Sequence, residues 1–220
     1  MLGRSRLPVL AEISGPAEGR AWGLRREDFA NLEAALPRLA PHRVVLVAGE
    51  GEEPAVAAIA CAAAAAASGR RTMLVDCDLA HPRLAAHLGL DPAPGVHEYL
   101  RWEAEPADVL QPVVLAGPAA GASEPLTCIC GGRPATKAET LLGLQSFSHM
   151  VEKLRGAYEL VLLLAPPLTA EGGSCLAVAR QADAVLAVLP AAGAKGRAAR
   201  GVRSVVRRLP APAIGSLAVG

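Results

Sequence analysis

The segment Gly49-Glu50-Gly51-Glu52-Glu53-Pro54 joins an apolar run, Val44 to Ala48 (VVLVA), to an alanine-rich stretch, Pro54 to Ser68. Glycines that let backbone N–H groups converge at the start of a helix make a cradle for phosphate. The side chains oppose that use. A working phosphate loop puts a lysine on the outer phosphates and a Ser or Thr hydroxyl on magnesium. No Lys, Ser or Thr lies between Ala48 and Cys61. Glu50, Glu52 and Glu53 would each oppose a bound phosphate by about 1–4 kcal/mol per charge pair. Two readings remain: an acidic helix start, in which the carboxylates cap the helix and Pro54 sits in its first turn, or nucleotide binding by an altered mode. The first is preferred.

Four further groups of residues could do chemistry. Asp76 and Asp78 follow the run Thr72 to Val75 and would hold a metal or a partner's cation, or else cap the next turn. Two carboxylates without further ligands make a poor magnesium site, so capping is preferred. Cys128 and Cys130 have strand spacing that places them on one face, but no second Cys/His pair has zinc-site spacing, and small core hydrophobes are the better reading. His42, His81, His87, His97 and His149 are scattered and form no nucleophile–base pattern. Lys195, Arg197, Arg200, Arg203, Arg207 and Arg208 make a basic stripe on a helix whose other face carries Val202, Val205, Val206 and Leu209. DNA or anionic lipid would suit the stripe, yet no aromatics interleave with the arginines, so a solvated face is preferred. No catalytic residue and no metal ligand set is assigned.

The elements that must position these residues follow from hydrophobic patterning. Val44 to Ala48, Thr72 to Val75, Leu160 to Leu164 and Ala184 to Leu189 are continuously apolar, as strands covered on both faces are. Between them Pro54 to Ser68, Leu79 to Gly89, Leu141 to Gly156, Gly172 to Gln181 and Gly193 to Leu209 have helical composition. This alternation predicts an α/β fold, doubly wound, with a mostly parallel sheet and helices on both faces. Upstream, Arg25 to Leu39 makes a helix with Phe29, Leu32, Leu36 and Leu39 on one face, and LPVLAEIS before it is an edge strand or extended arm. Gly117 to Pro125 reads as a small-residue loop leading to a strand at Leu126 to Cys130. The expected organisation is an N-terminal arm and helix (1–40) packed on a core domain (41–220).

With 220 residues, 52% of them hydrophobic, the chain can fill one sizeable core, which excludes disorder as its main description. A formal net charge of +1 recruits neither nucleic acid nor an acidic membrane through the whole chain. Five cysteines in a chain of this size point to reduced thiols and a cytoplasmic location. The start, MLGRSRLPVLAEISG, lacks a small-residue cleavage site and is not expected to be a secretory signal. Ala55 to Ala67 is too short for a bilayer span of roughly 20 residues and reads as a buried helix.

In register over nearly its whole length, the chain resembles the cytoplasmic domain of bacterial tyrosine kinases, the BY-kinases of capsule and exopolysaccharide machinery, within the MinD/ParA class of deviant P-loop ATPases. SGRRTMLVDCDLAHPRLAAHLGLDPAPGVHEYL is similar to the segment carrying the family's second, Asp-containing Walker motif. LTCICGGRPATKAETLL resembles the strand and loop after it, AYELVLLLAPP the Walker B region, and QADAVLAVLPAAGAKGRAARGVRSVV the next strand and basic helix. LPVLAEIS and REDFANLEAAL resemble the opening arm and helix. The resemblance implies a P-loop NTPase-like fold of MinD/ParA type.

It also implies that the ATP apparatus has decayed. The family's Walker A lysine falls on Glu53 and its Ser/Thr on Pro54 and Ala55; the second motif keeps Asp76 and Asp78; the Walker B carboxylate falls on Leu164. The ring-forming helix motif, Glu-x-x-Arg-x-x-Arg, falls on Glu27, Ala30 and Glu33, with Asp28 adding to the acidic charge there, and the chain's last tyrosine is Tyr158. The implied function is that of a non-catalytic pseudo-ATPase without cofactor. It would act through a protein partner, such as a polysaccharide co-polymerase or an intact BY-kinase, with no nucleic acid and only indirect membrane contact. A monomer or weak dimer insensitive to ATP is expected. The alternatives are an active ATPase or tyrosine kinase borrowing Arg70, Arg71 or a partner chain's cation, or a ParA-like positioning module using the basic helix 195–208.

Overall fold

The four apolar runs form the centre of one sheet. In the computed structural model, which describes residues 7–14, 23–116, 119–120, 125–168, 173–191 and 196–220, they are β2 (Val44–Ala48), β3 (Thr72–Asp76), β6 (Leu160–Leu164) and β7 (Ala184–Pro190). Around them lie β1 (Val9–Ile13), β4 (Gln111–Val113), β5 (Leu126–Ile129) and β8 (Ala213–Val219). The order among the described residues is β1-β8-β7-β2-β6-β3-β5-β4. All neighbouring pairs are parallel except β4 with β5. The chain is therefore an α/β protein with a mostly parallel sheet.

Side chains of the central strands are buried on both faces because each face carries helices. Val45 and Val47 join the core under α1 (Arg26–Leu39) and α2 (Glu53–Ala67). Val44, Leu46 and Ala48 join the opposite core with α6 (Gln145–Ala157), α7 (Gly173–Ala179) and α8 (Arg197–Val206). Residues 57–66 of α2 are all buried and, apart from Ile59 and Cys61, all alanine, which explains the alanine run: small side chains let the helix lie close against β2, β3, β5, β6, β7 and β8. Among the described residues no helix is long and apolar enough to cross a membrane.

The arm 7–14 is an edge strand of the main sheet, with β1 paired to β8 and α1 packed on β1 and α2. Three expectations need correction. Leu79 to Gly89 is not one helix; only α3 (Leu84–Leu88) forms, because residues 78–83 make a turn tied to Asp76 and Asp78. Leu141 to Gly156 is two helices, α5 (Ala138–Leu142) and α6, broken at Gly143 and Leu144. The strands β4 and β8 and the short helix α4 (Val96–Leu100) were not expected at all. Pro210, Pro212 and Gly215 hide β8, yet Gly215 has a packing reason: a Cβ there would stand 2.5 Å from the Leu10 side chain of β1. Of the expected loop 117–125, residues 117–118 and 121–124 lie outside the described residues, as does Lys195.

Candidate functional site

The β2–α2 loop stands at the carboxyl end of β2, in the crevice where doubly wound sheets place ligands. A Cβ on Gly49 would meet the Val188 carbonyl at 2.9 Å, and Gly51 adopts φ +75°, so both glycines are required for the loop's path. The two glycines thus fix the loop's path, and the Glu53 side chain folds back over it. Glu53 folds its carboxylate over Gly51, so closely that an added Cβ would collide with Oε2. Pro54 is buried in the first helical turn, and Glu50 points to solvent.

The expected acidic cap needs correction. Glu52 stands at the N-cap of α2, but no side chain accepts a hydrogen bond from the helix start. Its backbone is already in the αR region, and its carboxylate turns outward to Arg83 at 3.7 Å and His87 at 3.6 Å. The acidic start itself is present, with Glu53 and Pro54 in the first turn, but at Glu52 an ion pair stands in place of a side-chain cap.

Asp76 closes β3 fully buried. Its Oδ1 accepts the Asp78 N–H at 3.1 Å, and its Oδ2 accepts the N–H groups of Arg83 at 2.7 Å and Leu84 at 2.9 Å. Asp76 therefore folds the turn and caps α3. Burial pushes its carboxyl up to about 6, against the pull of those three backbone bonds. Asp78 is also raised by burial, with the His81 N–H and Arg83 opposing the rise. Its Oδ2 receives Arg83 Nη2 at 3.1 Å.

Arg83 completes the arrangement. Its side chain is only 13% exposed and bridges Asp78, Glu52 and the Gly51 carbonyl, to which Nη1 donates. One guanidinium therefore ties the second motif to the loop. Leu164, at the end of β6, is fully buried and in register with both Val47 and Asp76. It supplies a methyl-bearing wall beside a carboxyl that burial already disfavours as an anion.

The resemblance to MinD/ParA ATPases implies magnesium and ATP, and the residues present do not fit them. The loop offers no cation to outer phosphates, the Glu53 carboxylate folds over it, Leu164 cannot ligate, and Arg83 already neutralises Asp78. Among the described residues no three His, Cys, Asp or Glu side chains gather as a metal site. The five cysteines are buried and unpaired as disulfides; burial pushes Cys61 up to about 12 and Cys175 up to about 11.

Other candidates lie apart from this centre. Arg70 and Arg71 precede β3, at the opposite end of the strand from Asp76, and five strand residues separate them by about 16 Å. Arg70 Nη2 donates to the Glu159 carbonyl and Arg71 pairs with the Glu159 carboxylate, so the idea that either replaces the missing lysine is corrected. On α1, Glu27, Ala30 and Glu33 are exposed, whereas Asp28 is buried and accepts the Ser14 N–H at 3.0 Å; the expected crowd of acids there loses one member. On α8, Val202 and Val206 face the core, Arg197 and Arg200 are exposed, and Arg203 is half-buried. Arg207 and Arg208 lie just past the helix end, Arg208 donating to Ser204 Oγ at 3.1 Å.

Sequence reasoning missed Arg83, because a lone arginine in a turn carries no periodic signal; its place five residues beyond Asp78 is the only hint. It also missed Glu98, a buried carboxylate that accepts the N–H groups of Gly95 and Arg133 and gathers the loops after α3 and β5.

No protein-family model matches the sequence, and no curated protein sequence matches it either. Solved structures do match in fold. The chimerical protein CapA2B2 superposes with a TM-score of 0.81 at 15% identity, over 97% of this chain and 94% of that one. The kinase domain of the Escherichia coli tyrosine kinase ETK gives 0.79 at 18% identity, over 97% and 90%. The septum site-determining protein MinD from Pyrococcus horikoshii, complexed with Mg-ADP, gives 0.51 at 18% identity, over 66% and 56%. The chain has the fold of BY-kinase cytoplasmic domains and, more distantly, of MinD-type ATPases.

Proposed function

We propose that this chain is a non-catalytic BY-kinase-like protein that has kept the fold and lost nucleotide chemistry. It acts through protein contacts in bacterial capsule or exopolysaccharide assembly and export, in the cytoplasm, and reaches the membrane only through a partner. That partner is a polysaccharide co-polymerase or an intact BY-kinase. The observation that carries the reading is the Arg83 bridge: the space between the loop and the second motif is closed by an internal ion-pair network. A protein that must bind and release Mg-ATP needs those carboxylates available to the metal. The changed residues of α1 extend the same reading to assembly, since exposed Ala30 and Glu33 stand where the ring motif has arginines, and an acid at 33 opposes a ring built by like copies.

Calorimetry with ATP and magnesium tests it. No magnesium-dependent complex is expected; a one-to-one complex tighter than about 100 μM, roughly 5.5 kcal/mol of binding free energy, overturns the reading. Thermal unfolding is an independent check, because ligand at a hundred times its Kd would add about 2.7 kcal/mol. Restoring the loop alone by Glu53→Lys, Pro54→Ser and Ala55→Thr is expected to leave the protein without hydrolysis, since Leu164 and Arg83 remain.

A further inference from the structure

A cavity lies away from the β2–α2 loop, beyond the carboxyl end of β5. It has a volume of about 660 Å³ and is lined by Arg101, Glu103, Arg133, Thr136, Lys137 and Thr140. His97 forms part of its wall, with Nδ1 buried and without a hydrogen-bond partner. Three cationic side chains thus stand against two carboxylates, Glu103 on the lining and Glu98 behind Arg133, an excess of one positive charge.

The cleft is held open by its own scaffold. Gly132, at φ +88°, brings the backbone so close to Glu98 that an added Cβ would collide with Oε2. Glu98 then accepts the Arg133 N–H at 3.1 Å and Nε at 2.8 Å, fixing the base of the arginine. Glu103 takes Arg133 Nη2 at 2.8 Å and Arg101 Nε at 2.6 Å. Each guanidinium therefore spends one edge on the scaffold, leaving Nη1 of Arg133 and both Nη atoms of Arg101 without a partner among the described residues. Lys137 makes no ion pair with any described residue, and the hydroxyls of Thr136 and Thr140 make no hydrogen bond to one. Arg133 is 64% exposed and Arg101 53%, so these groups are accessible.

The geometry points to a binding site for a small phosphate-bearing molecule in this cleft. A phosphate monoester carries about −1.5 to −2 charges and three acceptor oxygens, which suit a net positive lining and its mixture of guanidinium, ammonium and hydroxyl donors. Planar guanidinium forks fixed by an opposite edge are prepared for such oxygens. The volume falls within the roughly 300–1,000 Å³ of small-molecule sites and exceeds what a lone phosphate fills, so an organic ester is the ligand rather than the free ion. Nothing in this site depends on the nucleotide loop, and no magnesium is involved.

Titration calorimetry of the full chain without magnesium, using glucose 6-phosphate, inorganic phosphate and glucose as probes, tests the proposal. Glucose 6-phosphate is expected to bind more tightly than inorganic phosphate, and glucose not at all. Lys137→Glu and, separately, Thr140→Val should weaken the ester, the charge reversal by at least about tenfold. Lys137→Arg should retain binding, and Arg83→Met should leave it unchanged. Arg133→Gln removes the partner of buried Glu98 and is therefore read only alongside its melting curve. Absence of glucose 6-phosphate binding at about 10 mM, a weak regime near 3 kcal/mol, overturns the site. So does binding that ignores Lys137→Glu, or that vanishes with Arg83→Met. Inorganic phosphate binding as tightly as the ester overturns the organic ligand. None of these results alters the magnesium-ATP measurement, so the two readings fail separately.

Discussion

Two regions near the carboxyl ends of the strands hold opposite balances of charge. Around the β2–α2 loop, one arginine serves Glu52, Asp78 and a backbone carbonyl, while Asp76 spends both oxygens on backbone N–H groups. Beyond β5, Arg101 and Arg133 share Glu98 and Glu103 and keep donors facing solvent, and Lys137 adds a cation with no described partner. The first region is satisfied from within; the second is left incomplete. In a fold whose ligands gather at this end of the sheet, the place to look for chemistry is where polar groups lack internal partners, whatever the ancestral motif was.

The sharpest way to break the contrast is Leu164→Asp. Residue 164 pairs in register with Asp76 and faces a closed core, so the change buries a second carboxylate beside one already raised to about 6. A loss of about 3–5 kcal/mol in unfolding free energy at neutral pH is expected, the usual scale for an unpaired buried charge. Denaturant melts compared with Leu164→Asn measure it. Magnesium-dependent recovery of that loss would show that the first region still admits a metal.

A second effect comes from Asp76 itself. Its folded carboxyl titrates near 6, above the roughly 3.9 of an unfolded chain, so the folded state binds the proton more tightly. Stability from this group is full below about pH 4 and is lost as pH rises through about 6. The loss across that window amounts to about 3 kcal/mol. Unfolding curves of wild type and Asp76→Asn should therefore differ by a pH-dependent contribution over the same range. Groups displaced the other way, such as Glu98 and Asp183, are common to both proteins and cancel in the difference. Parallel curves would mean that Asp76 is ionised at no cost, as an open metal site would allow.

Arg83→Met comes next in size. It strips Asp78 of its cation and the loop of its tether, and about 1–3 kcal/mol should be lost at pH 7. Unlike the Asp76 effect, this one acts through an ion pair, and the loss should shrink as Asp78 is protonated at low pH. Hydrogen exchange at residues 50–53 should quicken in the same variant, since the Gly51 carbonyl loses its donor.

What could be read in the sequence follows from the same physics. Val44 to Ala48 and Leu160 to Leu164 announce buried parallel strands because every residue is apolar, and the central architecture follows from them. β8 escaped because Pro210, Pro212 and Gly215 carry the signs of a turn, although the glycine serves close packing against Leu10. The extent of α3 was overdrawn because the Asp76 and Asp78 side chains hold a turn that composition alone reads as helix. The loop's lost lysine was legible as a missing residue type. The Arg83 bridge was not legible, since it joins residues from two loops. The cleft was invisible for the same reason: Arg101 lies in one segment and Arg133 and Lys137 in another, joined by Glu98, Glu103 and backbone bonds from Val96 and His97.

The smallest expected effect separates scaffold from ligand group inside the cleft. Glu98 is buried and depends on Arg133, so Arg133→Gln leaves a carboxylate short of its charged partner and should cost about 1–3 kcal/mol. Lys137 pairs with no described residue, and Lys137→Glu should change stability by no more than about 0.5 kcal/mol, as exposed substitutions usually do. If position 137 were only a solvated surface, the reversal would be silent in every assay. If it were part of the scaffold, it would unfold the protein as Arg133→Gln does. A variant that melts like wild type yet loses the phosphate ester fits only a cation held ready for an external anion.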